Sequence, residues 1–180
     1  MAELDDDESA RRARRAYELG RSRFALVRAA PLLALALAYV WLSEGSAASA
    51  ALGVLLGAVA FVFAWRGRVA GRAVIPGFAA GLVALWCAHA VPACERACAF
   101  GVTLPLCVLM CALGGFAAGA FITLLARRQS RTERFWLCAG AVALLTGSLA
   151  CSCVGVGGVL GIAAGLALTG APLFARRAYP

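Results

Sequence analysis

Six apolar stretches follow one another along the chain, over residues 24–42, 47–65, 73–91, 100–125, 135–151 and 159–174, with short polar runs between them. A run of about 20 apolar residues in a helix matches the roughly 30 Å hydrocarbon layer of a bilayer. Apart from Arg28, no Asp, Glu, Lys or Arg lies inside any of the six. The pattern therefore predicts six transmembrane helices. The polar runs carry the second half of the signal. The chain has no lysine, and sixteen of its seventeen arginines fall in four clusters. These are Arg11 to Arg28, Arg66 to Arg72, Arg127 to Arg134, and Arg176 with Arg177. Two apolar stretches separate each cluster from the next, so all four clusters share one side. Arginine-rich segments stay in the cytosol, which puts both termini inside.

The expected organisation is an all-α polytopic membrane protein, a bundle of six helices. Residues 1–23 form a cytoplasmic segment, 24–175 the transmembrane domain and 176–180 a cytoplasmic tail. Tyr39 and Trp41 mark the outer interface of the first span, and Arg28 can snorkel to the inner one. Residues 66–72 and 127–134 are expected as inner loops, with 43–46, 92–99 and 152–158 as outer turns. Pro76 is expected in the first turn of span three, where its missing N–H costs little. Span four is longer than a bilayer requires and is expected to tilt or to kink at Pro105. Ala48-Ser49-Ala50 matches a signal-peptide cleavage pattern, but the leading segment is long and begins acidic, so span one is expected to be retained.

Composition agrees. Hydrophobic residues make up 63% of the chain and charged residues 14%, against about 45–50% and about 25% in a soluble domain. At 180 residues there is no room for a second globular domain. The net charge of +8 does not point to nucleic acid. The arginines sit at span ends, where they meet anionic head groups.

Small residues recur at four-residue spacing: Gly53 and Gly57, Gly77 and Gly81, Gly115 and Gly119, then Gly157, Gly161 and Gly165. Helices in lipid associate through close backbone approach, which glycine permits. Tight helix packing is the expected role, with a glycine-lined substrate path as the rival. Thr103, Thr123, Thr146 and Thr169 are expected as interhelical hydrogen-bond donors.

The amino-terminal segment opens with Glu3, Asp5, Asp6, Asp7 and Glu8 and then turns basic. Ser9 is a candidate N-cap for a helix running from about Ala10 into span one. Arg11, Arg12, Arg14, Arg15, Arg21 and Arg23 would lie on anionic lipid or contact a cytoplasmic partner.

Eight cysteines supply the remaining chemistry. Seven of them fall in the outer half of the expected topology, and Cys138 lies near the inner side. Cys94, Cys98, Cys151 and Cys153 belong to two outer turns, with Cys87 and the single histidine, His89, beside them. Disulfides in an oxidising periplasm, a soft-metal site for zinc or copper, and plain packing all remain open for this set. Four cysteines allow three pairings, and spacing does not choose among them. Packing is the expected role of Cys107, Cys111 and Cys138.

No catalytic motif occurs: no Walker loop, no G-x-S-x-G, no H-E-x-x-H and no C-x-x-C. No catalytic residue is assigned and an enzyme is not expected. Spans without ionisable residues also argue against a proton-coupled carrier or a charged-ring channel.

The layout resembles the six-span anti-sigma factors of bacterial inner membranes. The parts that carry the resemblance are the basic segment Arg11–Arg23 and the outer cysteines Cys94, Cys98, Cys151 and Cys153. It implies an inner-membrane sensor or regulator whose outer cysteines answer to redox state or soft metal. Its amino terminus would contact a cytoplasmic partner such as a sigma factor. The alternatives are a small carrier for a thiophilic metal or neutral solute, and a structural subunit of a membrane complex.

Overall fold

Backbone amides inside a bilayer have no water to bond, so an apolar stretch closes its hydrogen bonds within a helix. The computed structural model is all-α and describes residues 2–42, 47–89, 105–151 and 156–178. Six helices follow in order: α1 Ala2–Leu42, α2 Ala47–Arg66, α3 Arg68–His89, α4 Pro105–Ala126, α5 Thr132–Cys151 and α6 Val156–Ala178. Four of them (α2, α3, α4 and α6) hold described stretches long and apolar enough to cross a membrane.

Several boundaries differ from the expected ones. α1 begins at Ala2, so Ser9 lies within it and not at its N-cap. The acids of residues 3–8 occupy the first turns of α1 instead, at the positive end of the helix dipole. Residues 68–72 are helical, and the inner loop shrinks to a break at Gly67, whose φ of +154° is one that side chains rarely adopt. Arginine is a strong helix former, so a basic run at a span end need not leave the helix. Pro76 consequently sits inside α3, beyond its first turn, and denies the carbonyl of Arg72 its helical donor. The described part of α4 opens at Pro105, a residue pre-set for a first helical position. Residues 100–104, where span four was expected to begin, lie outside the described residues. Val156, Gly157 and Gly158 start α6 and are not part of a turn.

The helices associate in three close pairs, α1 with α2, α3 with α5, and α4 with α6. Only the first is a sequential hairpin. Gly53 faces Ala36 and Gly57 faces Leu33, so α1 and α2 run antiparallel. Gly77 faces Ala139 and Gly81 faces Ala143, so α3 and α5 run parallel. Gly161 faces Val108 and Gly165 faces Ala112 and Phe116, so α4 and α6 run parallel as well. α3 also lies against α4, where Gly114 meets Ala84 and Cys87.

The interior is built from small side chains. Ala73, Ala80, Ala84, Ala118, Ala126, Ala139 and Ala143 are buried in one continuous cluster with Ile122, Ile162 and Leu166. Large apolar residues point outward: Leu109, Leu113, Phe116 and Leu124 of α4, and Leu160 and Leu168 of α6. Small inside and large outside suits lipid, where leucine gains nothing by hiding and close backbone approach gains contact.

Candidate functional site

All four arginine clusters come to one end of the bundle. Arg28 Nη1 donates to the Gly71 carbonyl at 3.3 Å, and Arg21 Nη2 donates to the Trp65 carbonyl. These bonds tie the middle of α1 to the α2–α3 break. Ala73 at the start of α3 shares a cluster with Ala126, Phe135 and Trp136, which brings the α4–α5 turn to the same end. The edge of Trp136 meets Phe174 near the end of α6, with ring centroids 5.7 Å apart. Arg176 and Arg177 follow within two turns.

Two grooves open at this end. One, of about 490 Å³, lies between α1 and the α2–α3 junction and is lined by Tyr17, Arg21, Phe24, Arg28, Trp65 and Arg72. The Arg28 guanidinium stands over the Phe24 ring, 4.5 Å from its centroid, and that of Arg21 lies 5.8 Å from the Tyr17 ring. Arg28 thus turns in toward α3, whereas the sequence leads one to expect a side chain reaching back along α1 to the interface. The other groove, of about 460 Å³, is lined by Ser130–Arg134 and Leu173. Beyond them residues 11–20 of α1 are exposed on every face. Arg11, Arg12, Arg14 and Arg15 stand there, with Arg12 paired to Glu8 at 2.7 Å. Arg23 is exposed a turn further on.

A buried polar chain crosses the core behind the second groove. Trp136 Nε1 donates to Thr123 Oγ1 at 3.1 Å, and Thr123 Oγ1 donates to the Thr169 carbonyl at 3.4 Å. Three helices are joined by these two bonds. Thr146 and Thr169 instead donate to carbonyls of their own helices, Val142 and Leu166, each at 2.8 Å. Of the threonines expected to bridge helices, Thr123 does so, Thr146 and Thr169 do not, and Thr103 lies outside the described residues. Trp136 is the residue that sequence reasoning missed. A tryptophan just after an arginine run reads as an interface anchor, yet this one is 8% exposed. The available signal was Gly170, which leaves room for the indole ring.

The glycines are seated against backbone. An added Cβ would strike the carbonyl of Ala139 at Gly77, of Ala143 at Gly81, of Ile162 at Gly115, of Val108 at Gly161 and of Ala112 at Gly165. At Gly119 it would strike Thr169 and at Gly57 Leu33, while Gly53 and Gly157 have ordinary contacts.

Four cysteines are described, all with free thiols. Cys107 and Cys111 are buried in α4, with Cys111 close to Gly161 of α6, whereas Cys87 and Cys138 are half-buried. Cys94, Cys98 and Cys153 lie outside the described residues. Cys151 and His89 end α5 and α3, and their side chains lie outside them too. Among the described residues no three of His, Cys, Asp and Glu converge on a metal position. The candidate disulfide or metal cluster is therefore neither assembled nor dispersed by what is described.

No family model, no curated protein and no solved structure matches this chain.

Proposed function

We propose that this chain is a six-span bacterial inner-membrane protein with both ends in the cytosol, acting as a non-enzymatic regulator. The observation that carries the reading is the continuity of α1, 41 residues from Ala2 to Leu42. At 1.5 Å per residue such a helix is roughly 60 Å long, about twice the hydrocarbon layer. Its carboxyl-terminal half packs on α2, and its amino-terminal half stands free. A shift of the packed half moves the free half with it. The outer cysteines Cys94, Cys98, Cys151 and Cys153 would take the input, as oxidation or soft-metal binding. The arginine-rich half of α1 would deliver the output, by holding or releasing a cytoplasmic partner. A sigma factor is the partner class that the architectural resemblance implies.

Two measurements on intact cells test this together. Differential alkylation reads the outer thiols with and without oxidant, zinc or copper. Mild-detergent purification identifies what comes with the full chain and with a chain lacking residues 1–23. The proposal expects the outer thiols to change state and one protein to be lost on deletion. Thiols that never change state, or a partner indifferent to residues 1–23, contradict it.

A further inference from the structure

We propose that the groove between α1 and the α2–α3 junction binds the phosphodiester headgroup of an anionic phospholipid. Three guanidinium groups line it, those of Arg21, Arg28 and Arg72. None of the three has a carboxylate partner among the described residues. Arg28 is half-buried as well, and a charge drawn out of water calls for a counter-charge. Arg21 and Arg28 each give one nitrogen to a backbone carbonyl, Trp65 and Gly71. Those bonds, with the Tyr17 and Phe24 rings, fix the guanidinium planes. The remaining N–H groups are the planar forks that match phosphate oxygens two at a time.

The groove walls decide which anion. Phe24 and Trp65 are about half exposed at its sides. The apolar parts of α1 and α2 begin directly beside them, with Leu26 and Val27 exposed along α1. A headgroup seated on the arginines would send its acyl chains along this apolar surface. An acidic protein segment or a free phosphate would use only the guanidinium groups and leave the rings idle. Basic pockets at the cytoplasmic edge of membrane helices hold lipid headgroups by the same chemistry. The inference rests on the membrane reading and on the arginine end facing an anionic leaflet. It does not depend on the regulatory role.

The test uses the full chain in mixed micelles of phosphatidylglycerol and phosphatidylcholine, with retained lipids counted by native mass spectrometry. Wild type is expected to keep phosphatidylglycerol preferentially. Replacing Arg21, Arg28 and Arg72 by Gln is expected to lower that preference about fivefold per arginine removed. Arg127→Gln with Arg128→Gln, outside the groove, is expected to leave it unchanged. If the triple variant does not fold, Arg72→Gln alone, at an exposed position, must still lower the preference about fivefold. An unchanged preference overturns the proposal and leaves the arginines to an acidic protein segment. Glycerol phosphate without acyl chains is added in a separate arm. If it binds as tightly as the lipid, the apolar walls play no part and the lipid assignment fails. Labelling of the loop at Gln129 in intact cells reads orientation independently, so a wrong topology and a wrong groove give different results.

Discussion

Adding one methyl group at Gly115 should separate α4 from α6, while the same methyl at Gly20 should do the opposite of harm. At Gly115 the new Cβ would lie 2.8 Å from the Ile162 Cα and against the Ile162 carbonyl. Ordinary contact begins at 3.4 Å, so it falls about 0.6 Å short. The obstacle is backbone and has no rotamer to turn away, so one helix must move. Overpacking of this kind costs about 1–3 kcal/mol, and alanine returns at most about 1 kcal/mol of helix propensity. The net loss for Gly115→Ala is therefore about 1–2 kcal/mol. Gly20 has nothing within 4 Å of its added Cβ. Gly20→Ala therefore keeps the propensity gain, about 0.5–1 kcal/mol. The assay is reversible unfolding of the purified chain by sodium dodecyl sulfate in mixed micelles, read by tryptophan fluorescence and circular dichroism. The reasoning fails if Gly115→Ala unfolds at the same or higher detergent fraction than wild type. The Gly20 control guards against a general effect of alanine.

Four other predictions use different parts of the molecule. Trp136→Phe removes the bond to Thr123 and is expected to cost about 1 kcal/mol. In a double-mutant cycle with Thr123→Val that loss should be largely absent, and full additivity would show that the two side chains do not interact. Gly67→Ala places a side chain at φ +154° and is expected to destabilise by more than about 1 kcal/mol in the same unfolding assay. Cys107 and Cys111 are 1% exposed, so a maleimide should modify Cys87 well before either in the folded chain. Equal rates for the three would contradict the packing of α4 on α6. Gly20→Pro removes a backbone donor and interrupts α1 at a cost of about 3 kcal/mol in helix stability. It should uncouple partner retention from the state of the outer thiols while leaving that state able to change, and unaltered coupling would argue against transmission along α1.

The sequence was most informative where one physical rule acted alone. Arginine resists the hydrocarbon layer, so the positions of Arg66, Arg127 and their neighbours mark helix ends without knowledge of packing. The structure brings them to one end of the bundle. Glycine spacing marked faces but not partners. Gly77-Phe78-Ala79-Ala80-Gly81 and Gly115-Phe116-Ala117-Ala118-Gly119 are the same string, yet one packs on α5 and the other on α6. Nothing local distinguishes them, because partner choice depends on every other helix finding its place. Boundaries failed where the polar and helical signals part company. Arg68–Arg72 is polar enough to leave the bilayer and helical enough to stay in α3. Trp136 was missed for a related reason. Its position after Arg134 names an interface, and only the cleft at Gly170 makes it a core residue. The groove at Arg21, Arg28 and Arg72 joins positions more than 40 residues apart, a distance that periodicity does not span.

The orientation of the arginine end underlies both the regulatory proposal and the lipid site, and one labelling experiment reads it directly. The eight native cysteines are replaced by alanine, and single cysteines are introduced at Gln129 or at Ser46. A membrane-impermeant maleimide is then applied to intact spheroplasts and to inverted vesicles. The account predicts that the cysteine at 46 is labelled in spheroplasts and the one at 129 only in inverted vesicles. Labelling of position 129 from outside intact spheroplasts would contradict it.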